Sequence, residues 1–189
     1  MKKIGFLIIA SLLTLNAFSQ EESSAERKAA RDAVRAQRQK ENQAQAVAQA
    51  RMVDSLISKR NFLVTADYLG DNTGGRVVVD AKINFIIVDS SNVVIQTGSM
   101  AYIGYNGLGG LTTDGNITKF EVERTGKDKK SYVISLTTMT SVGMFDIFIN
   151  VSPDGNATAT LSSNSGGKLV YYGDIAPLKG TRIYKGNAI

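Results

Sequence analysis

The 189-residue chain contains no cysteine, no histidine and no tryptophan. Without cysteine there is no disulfide, no thiol nucleophile and no thiolate metal site. Without histidine every Ser-His-Asp or Cys-His arrangement is excluded, as are imidazole-bound zinc and the commonest general base near neutral pH. An enzyme built from this composition would have to run on carboxylates, lysine, serine or tyrosine. No segment calls for a metal or a cofactor. What is present, 43% apolar and 21% charged residues, suffices for one sizeable core.

Lys2 and Lys3 precede an apolar run from Ile4 to Leu15, and Ala17-Phe18-Ser19 follows with small residues where a leader peptidase needs them. The pattern predicts a secretory signal peptide over residues 1–19, cleaved after Ser19. The run is short of the ~20 residues of a comfortable membrane span, so no membrane insertion is expected after cleavage. Export is therefore expected. The periplasm fits best, and the outer surface and the extracellular space also fit.

Residues 20–60 read as a helical arm. From Glu21 to Arg60 the chain is rich in Ala, Gln, Glu, Lys and Arg and has no glycine or proline, a strongly helix-favouring mixture. Between Glu21 and Glu41 the only apolar side chain larger than alanine is Val34, so that half has little to bury. In the second half Val47, Ala50, Val53, Leu56 and Ile57 recur at helical spacing and predict an apolar stripe laid on the rest of the protein. The arm carries nine basic and six acidic residues, whereas residues 61–189 carry eleven of each. The basic surplus of the exported chain thus sits on the arm, which has no aromatic side chain to stack on bases and no bulky apolar face to grip a bilayer. No nucleic-acid partner is expected. The arm reads as a solvated mixed-charge spacer or as a helix for a protein partner or self-association.

From Phe62 onward the hydrophobic period changes to two. Along Arg76 to Val88, the residues Val77, Val79, Ala81, Ile83, Phe85 and Ile87 fall on one face, as in a strand with one buried side. Similar alternation runs through Val93–Gln96, Met100–Tyr105, Ile117–Arg124, Tyr132–Met139, Met144–Val151, Ala157–Leu161 and Leu169–Tyr172. Turn signals at Thr125–Asp128, Ser152–Asn156 and Asn164–Gly167 separate the later ones. The fold class is mainly β: an antiparallel meander of about eight strands over residues 61–189, forming a strongly curved sheet or barrel, preceded by the long N-terminal helix. The helix end from Val47 to Ile57 is placed to cover one open end or face.

The most unusual segment runs from Gly104 to Gly115. Its glycines match neither a Walker loop nor G-x-G-x-x-G. Glycine at this density either permits backbone bends or lets a ligand approach the main chain. Both a bulged connection with Leu108 and Leu111 tucked on the core and a ligand-gripping loop satisfy the pattern. The candidate binding residues are Tyr105, Asn106, Gly107, Leu108, Gly109 and Gly110. For carboxylate chemistry, Glu121 and Glu123 share one strand face with Lys119, and Asp114 and Asp146 stand alone; a solvated outer face explains the pair without chemistry. Asp71-Asn72-Thr73-Gly74 lacks the spaced acids of a calcium loop and reads as a turn. No Gly-x-Ser-x-Gly signature occurs. Tyr68, Tyr102, Tyr105, Tyr132, Tyr171 and Tyr172 could line a pocket or pack in the sheet.

The runs YIGYNGLGGLTTDGNITKFEVER, YVISLTTMTSVGMFDIFINVSPDGNATATL and GKLVYYGDIAPL, with the entry FLVTADYL and the strand pair INFIIVDSSNVVIQ, resemble an uncharacterised family of exported Bacteroidetes proteins known only as a domain of unknown function. The similarity covers roughly Phe62 to Leu178, and its most specific part is Asn106-Gly107-Leu108-Gly109-Gly110 with Asp114-Gly115. The resemblance implies a compact β-rich envelope domain with a lipocalin-like or barrel-like sheet. It carries over no activity and no catalytic residues.

The expected function is a non-enzymatic exported module of the cell envelope that binds a small apolar ligand or an envelope protein near the glycine loop. A structural or assembly role through the arm is the alternative. A carboxylate-based glycan hydrolase, resting on Glu121 and Glu123, stands last.

Overall fold

The computed structural model of the chain describes residues 4–71, 73–99, 106–126, 128, 130–164 and 166–189, the stretch 4–24 through its helical backbone alone. The expected strand Met100–Tyr105, with Tyr102, lies outside the described residues. The chain divides into two compact units, Met1–Gln45 and Ala46–Ile189. A single helix, α1 (Ile4–Ser58), supplies the first and begins the second. In the first unit every side chain from Ala25 to Gln45 is exposed, including Val34 at 51%. Local pairs such as Gln37 Nε2 to Glu41 Oε1 at 2.8 Å decorate it, and between Ala25 and Gln45 nothing apolar is gathered, as the composition of that stretch dictates.

In the second unit α1 ends where Arg60 takes a left-handed φ of 47° and its carbonyl accepts the Ser90 N–H at 2.7 Å. Among the described residues ten strands follow: β1 (Asn61–Thr65), β2 (Tyr68–Gly70), β3 (Arg76–Val78), β4 (Phe85–Asp89), β5 (Asn92–Thr97), β6 (Leu111–Thr125), β7 (Ser131–Thr140), β8 (Gly143–Val151), β9 (Asn156–Ser163) and β10 (Lys168–Ala176). Their order is β1-β4-β5-β6-β7-β8-β9-β10, and β10 returns to β1 through Leu63↔Ala176 and Val64↔Ile175. Eight antiparallel strands thus close into a barrel. The hairpin β2–β3 hangs from the first half of β10.

Strands β1 and β2 are one line of chain along β10, interrupted by a bulge. Asp67 donates its N–H to Tyr172 O at 2.9 Å, and Tyr68 also stands opposite Tyr172. The extra residue bends the strand, and Gly173 makes room, since a Cβ there would run into the Thr65 carbonyl. On the far side of this line β1 pairs with β4, but β2 pairs with β3.

The single strand expected over Arg76–Val88 is therefore two. Ala66 N–H bonds Asn84 O, while Val79 N–H bonds Asp67 O, so Asp80–Ile83 is looped out between ladders that are otherwise continuous. The Asp80 side chain holds the turn by accepting Lys82 N–H at 2.8 Å. After this turn the inward residues of β4 are Ile86 and Val88, which join the core, while Phe85 lies on the outer face with Leu63. Of the expected inward set, Val79 packs on the core and Ile83 is buried, whereas Val77 is 62% exposed and Phe85 and Ile87 face outward, because the excursion changes which parity faces the interior.

The interior is packed with Phe62, Val64, Ile86, Val88, Val93, Ile95, Ile134, Leu136, Ile147, Ile149, Val151, Ala159 and Tyr171. Each fully buried aliphatic contributes about 1.5–3 kcal/mol. Tyr171 reaches across from β10 and donates its hydroxyl to the Gln96 carbonyl of β5 at 3.2 Å, and its burial pushes the phenol pKa up. On the outside, the segment Pro177–Ile189 crosses β4–β6. Gln96 is fully buried under it, donating to Ile83 O (3.1 Å) and Tyr184 O (2.7 Å) and accepting from Gly186 N–H and the Thr112 hydroxyl, each at 2.8 Å.

Candidate functional site

The two ends of the barrel are finished differently, and the difference locates the site. At the end where β6 and β7 project, the last turns of α1 act as a stopper: Val53 (1% exposed) and Ile57 (3%) belong to the barrel core, with Leu56 packed against it. Polar groups fix the stopper. The Tyr132 hydroxyl donates to Asp54 Oδ1 at 2.5 Å, and Arg124 lies 3.8 Å from the same carboxylate and 4.9 Å above the Tyr132 ring. Burial, then the bond to the Asp54 carboxylate, holds the Tyr132 phenol pKa above its ordinary value. Arg60 sits 4.4 Å over Phe120. A shallow cleft of about 390 Å³ lies beside these groups, but its cations already face rings or the Asp54 carboxylate.

At the opposite end the wall parts. Strand β4 begins only at Phe85, and β3 takes over its place beside β2, leaving a gap between β3 and the end of β5. Asn84, fully buried, seals the exposed end of the β4–β5 ladder with its side chain. Its Oδ1 accepts Gly98 N–H at 2.9 Å, and its Nδ2 donates to Gly98 O at 3.1 Å and Asp80 O at 3.0 Å. Gly98 is required there, because a Cβ would meet Leu108 O at 2.9 Å and Ile83 at 3.0 Å. The gap is a cleft of about 590 Å³ lined by Leu69, Val77, Val78, Val79, Asp80, Ile83, Thr97, Gly98, Ser99, Gly109 and Gly110. Leu69 and Val79 also pack on the core, so the cleft floor is the core itself. Its size is that of a small-molecule or side-chain pocket.

Of the residues expected to bind, Gly109 and Gly110 line this cleft. Asn106 lies behind it, buried, as the knot of the loop: Oδ1 accepts Leu108 N–H (2.8 Å) and Gly110 N–H (3.0 Å), and Nδ2 donates to Thr97 O (3.0 Å) and Thr112 Oγ1 (3.1 Å). Gly107 and Gly109 adopt φ of 77° and 76°, so the loop needs glycine for its own path. Leu108 is half-buried, and its carbonyl accepts Ser99 N–H at 2.9 Å. Tyr105 lies outside the described residues. The cleft's apolar wall, Leu69 with Val77–Val79 and Ile83, was missed in the sequence. Its signal was the unbroken Val77-Val78-Val79, apolar on both faces of a short strand.

The remaining candidates stand apart. Glu121 and Glu123 are exposed, and Glu121 pairs with Lys119 at 3.1 Å. Asp114 is exposed. Asp146 accepts the Thr137 hydroxyl at 2.7 Å on the outer face. Asp71 accepts both the N–H and the hydroxyl of Thr73, which lowers its carboxyl pKa and makes the segment a turn. Tyr132 and Tyr171 are core residues, and Tyr68 is exposed. Among the described residues no three acidic side chains stand close enough to hold a metal ion, and no helix is long and apolar enough to cross a membrane.

A family model described as a domain of unknown function, DUF4251, matches residues 42–175. The chain belongs to the DUF4251 family. The matched span takes in the stopper turns of α1 along with all ten strands but for the last residue of β10, so stopper and barrel form one DUF4251 module. A crystal structure of a DUF4251 protein from Bacteroides eggerthii superposes with a TM-score of 0.60 at 22% identity, covering 72% of this chain and 94% of that one. That likeness supports the fold. No curated protein matches the sequence.

Proposed function

We propose that this DUF4251 protein is a non-catalytic binding module exported to the cell envelope, and that it holds an apolar group in the cleft between β3 and the glycine loop. The observation that carries the reading is the cleft's lining: among the described residues, five aliphatic side chains surround about 590 Å³, with Asp80 the one ionisable group. Burying apolar surface there yields about 25 cal/mol per Å², and no charge need be desolvated at the floor. The non-catalytic part rests on the chain's lack of histidine and cysteine and on the exposed, ion-paired setting of Glu121. The export part rests on the leader pattern of residues 1–19. The interior of the barrel is filled by its own side chains, so a ligand enclosed as in an open barrel does not fit, and the parted wall is the better place.

Titration with the uncharged fluorophore Nile red tests this reading. The expected result is saturable binding weakened about tenfold or more by Val77→Asp, which sets a charge in the apolar wall. Equal binding by the variant would remove the cleft from consideration.

A further inference from the structure

The edge of β3 that faces the cleft is the unpaired end of the sheet order. Which backbone groups it offers follows from the ladder on its other side. Val79 N–H bonds Asp67 O and Asp71 N–H bonds Gly75 O, so the odd-numbered residues of β3 point their polar groups at β2. In an antiparallel ladder the alternate residues point the opposite way. Arg76 and Val78 therefore direct N–H and C=O into the open edge, and among the described residues nothing pairs with them there.

Open edges are ordinarily guarded by lysine, proline, a bulge or a covering segment. This one carries Val77, 62% exposed, and Val78, 79% exposed, flanked by Arg76 and Asp80. Arg76 lies 3.8 Å over the Tyr172 ring, turned along the sheet and away from the edge. The order Arg-Val-Val-Val-Asp has a property that a guarded edge lacks: turned antiparallel onto itself about Val78, it sets Arg76 against Asp80, Val77 against Val79, and Val78 against Val78. Charge matches opposite charge and valine matches valine. The residue on the axis is also one whose N–H and C=O both face outward, as a reciprocal pair of hydrogen bonds requires.

We propose that β3 pairs antiparallel with β3 of a second copy of this chain, Val78 against Val78 on a two-fold axis, so that Val77 and Val79 of each copy lie over the apolar cleft of the other. This rests on the reading of the cleft as the binding site and names its occupant. The contact is isologous, as in most symmetric dimers; each cross-strand valine pair adds to it, as does each Arg76–Asp80 pair once Arg76 swings from the Tyr172 ring to the edge. The edge is short, so the dimer is weak and salt-sensitive.

The test uses sedimentation equilibrium of the full protein purified from its own host, alone and as variants. The expected result is a monomer–dimer equilibrium that Arg76→Asp abolishes and Asp80→Arg abolishes. An equimolar mixture of these two variants is expected to associate again, because the aspartate introduced in one copy then meets the arginine introduced in the other. Should Asp80→Arg fail to fold, Val78→Pro serves instead: it removes the central donor on the free edge, leaves the β2 ladder intact, and is expected to give a monomer. Association that survives Val78→Pro and Arg76→Asp overturns the proposal, as does a protein monomeric at every concentration. If such a monomer still binds Nile red in a manner sensitive to Val77→Asp, the cleft reading stands and only the strand pairing falls. Loss of both defeats both.

Discussion

The stoppered end and the parted end of one barrel solve the same problem with opposite chemistry. Eight strands leave two mouths through which water would reach the core. At the first, α1 inserts aliphatic side chains, Val53 and Ile57, and secures them from the rim through Asp54, Tyr132 and Arg124. At the second, no helix among the described residues inserts side chains. There a buried asparagine imitates a missing strand for one residue, and a glycine loop folds in behind it. Apolar insertion shuts a mouth completely, whereas polar sealing finishes the hydrogen-bond ladder and leaves apolar side walls uncovered. A surface suited to binding is therefore expected at the polar-sealed end.

The sharpest way to break the comparison is one substitution at both ends. Ile57→Asp buries an uncompensated charge in the stopper and is expected to cost about 3–5 kcal/mol, enough to unfold much of the population. Val78→Asp, at an exposed position, is expected to change stability by less than about 0.5 kcal/mol. Urea unfolding measures both, and comparable losses would mean that the parted end is not open. Asn84→Ala probes the polar seal. It strands the N–H and C=O of Gly98 without partners, so a loss of about 2–3 kcal/mol is expected, and hydrogen exchange at Gly98 should quicken.

The smallest expected effect is alkaline. Tyr132 near the stopper and Tyr171 across the barrel both have phenol pKa values raised by burial. Their neutral forms are the ones the fold accommodates, so their contribution is intact below about pH 10, the unfolded value, and is lost as pH rises toward the folded ones. One pH unit above that, a loss of about 1 kcal/mol for Tyr171 is expected, with Tyr171→Phe flattening that slope. An unchanged slope in the variant would mean that the phenol titrates in water.

Much of this was legible in the chain. The stopper was visible in the stripe Val47, Ala50, Val53, Leu56 and Ile57, of which Val53, Leu56 and Ile57 reach the core while Val47 stays 52% exposed. The meander was visible because each hairpin from β6 to β10 is local and each turn carries its own glycine, asparagine or aspartate. The parted wall was not visible. Alternation from Arg76 to Val88 continues through the Asp80–Ile83 excursion, so the pattern gives no sign that the inward face has changed. Phe85 misled for a related reason: it is fully buried although it faces outward, and so is Gln96, which lies under the segment Pro177–Ile189; burial by a distant covering segment leaves no local period. The glycine loop drew notice correctly as unusual backbone, but its asparagine binds the loop itself.

The seam of the barrel, two residue pairs between β1 and β10, also constrains the order of folding. Every other neighbouring pair in the barrel wall is joined by a local hairpin or, between β1 and β4, by a short detour through β2 and β3. Only the seam joins the first strand to the last. Loop closure over that distance must come before its contacts reward it, so the seam forms after the hairpins and sets a slow final step. A nascent chain therefore cannot close the barrel until Ala176 has emerged, and until then the edge of β1 that faces β10 stays unpaired.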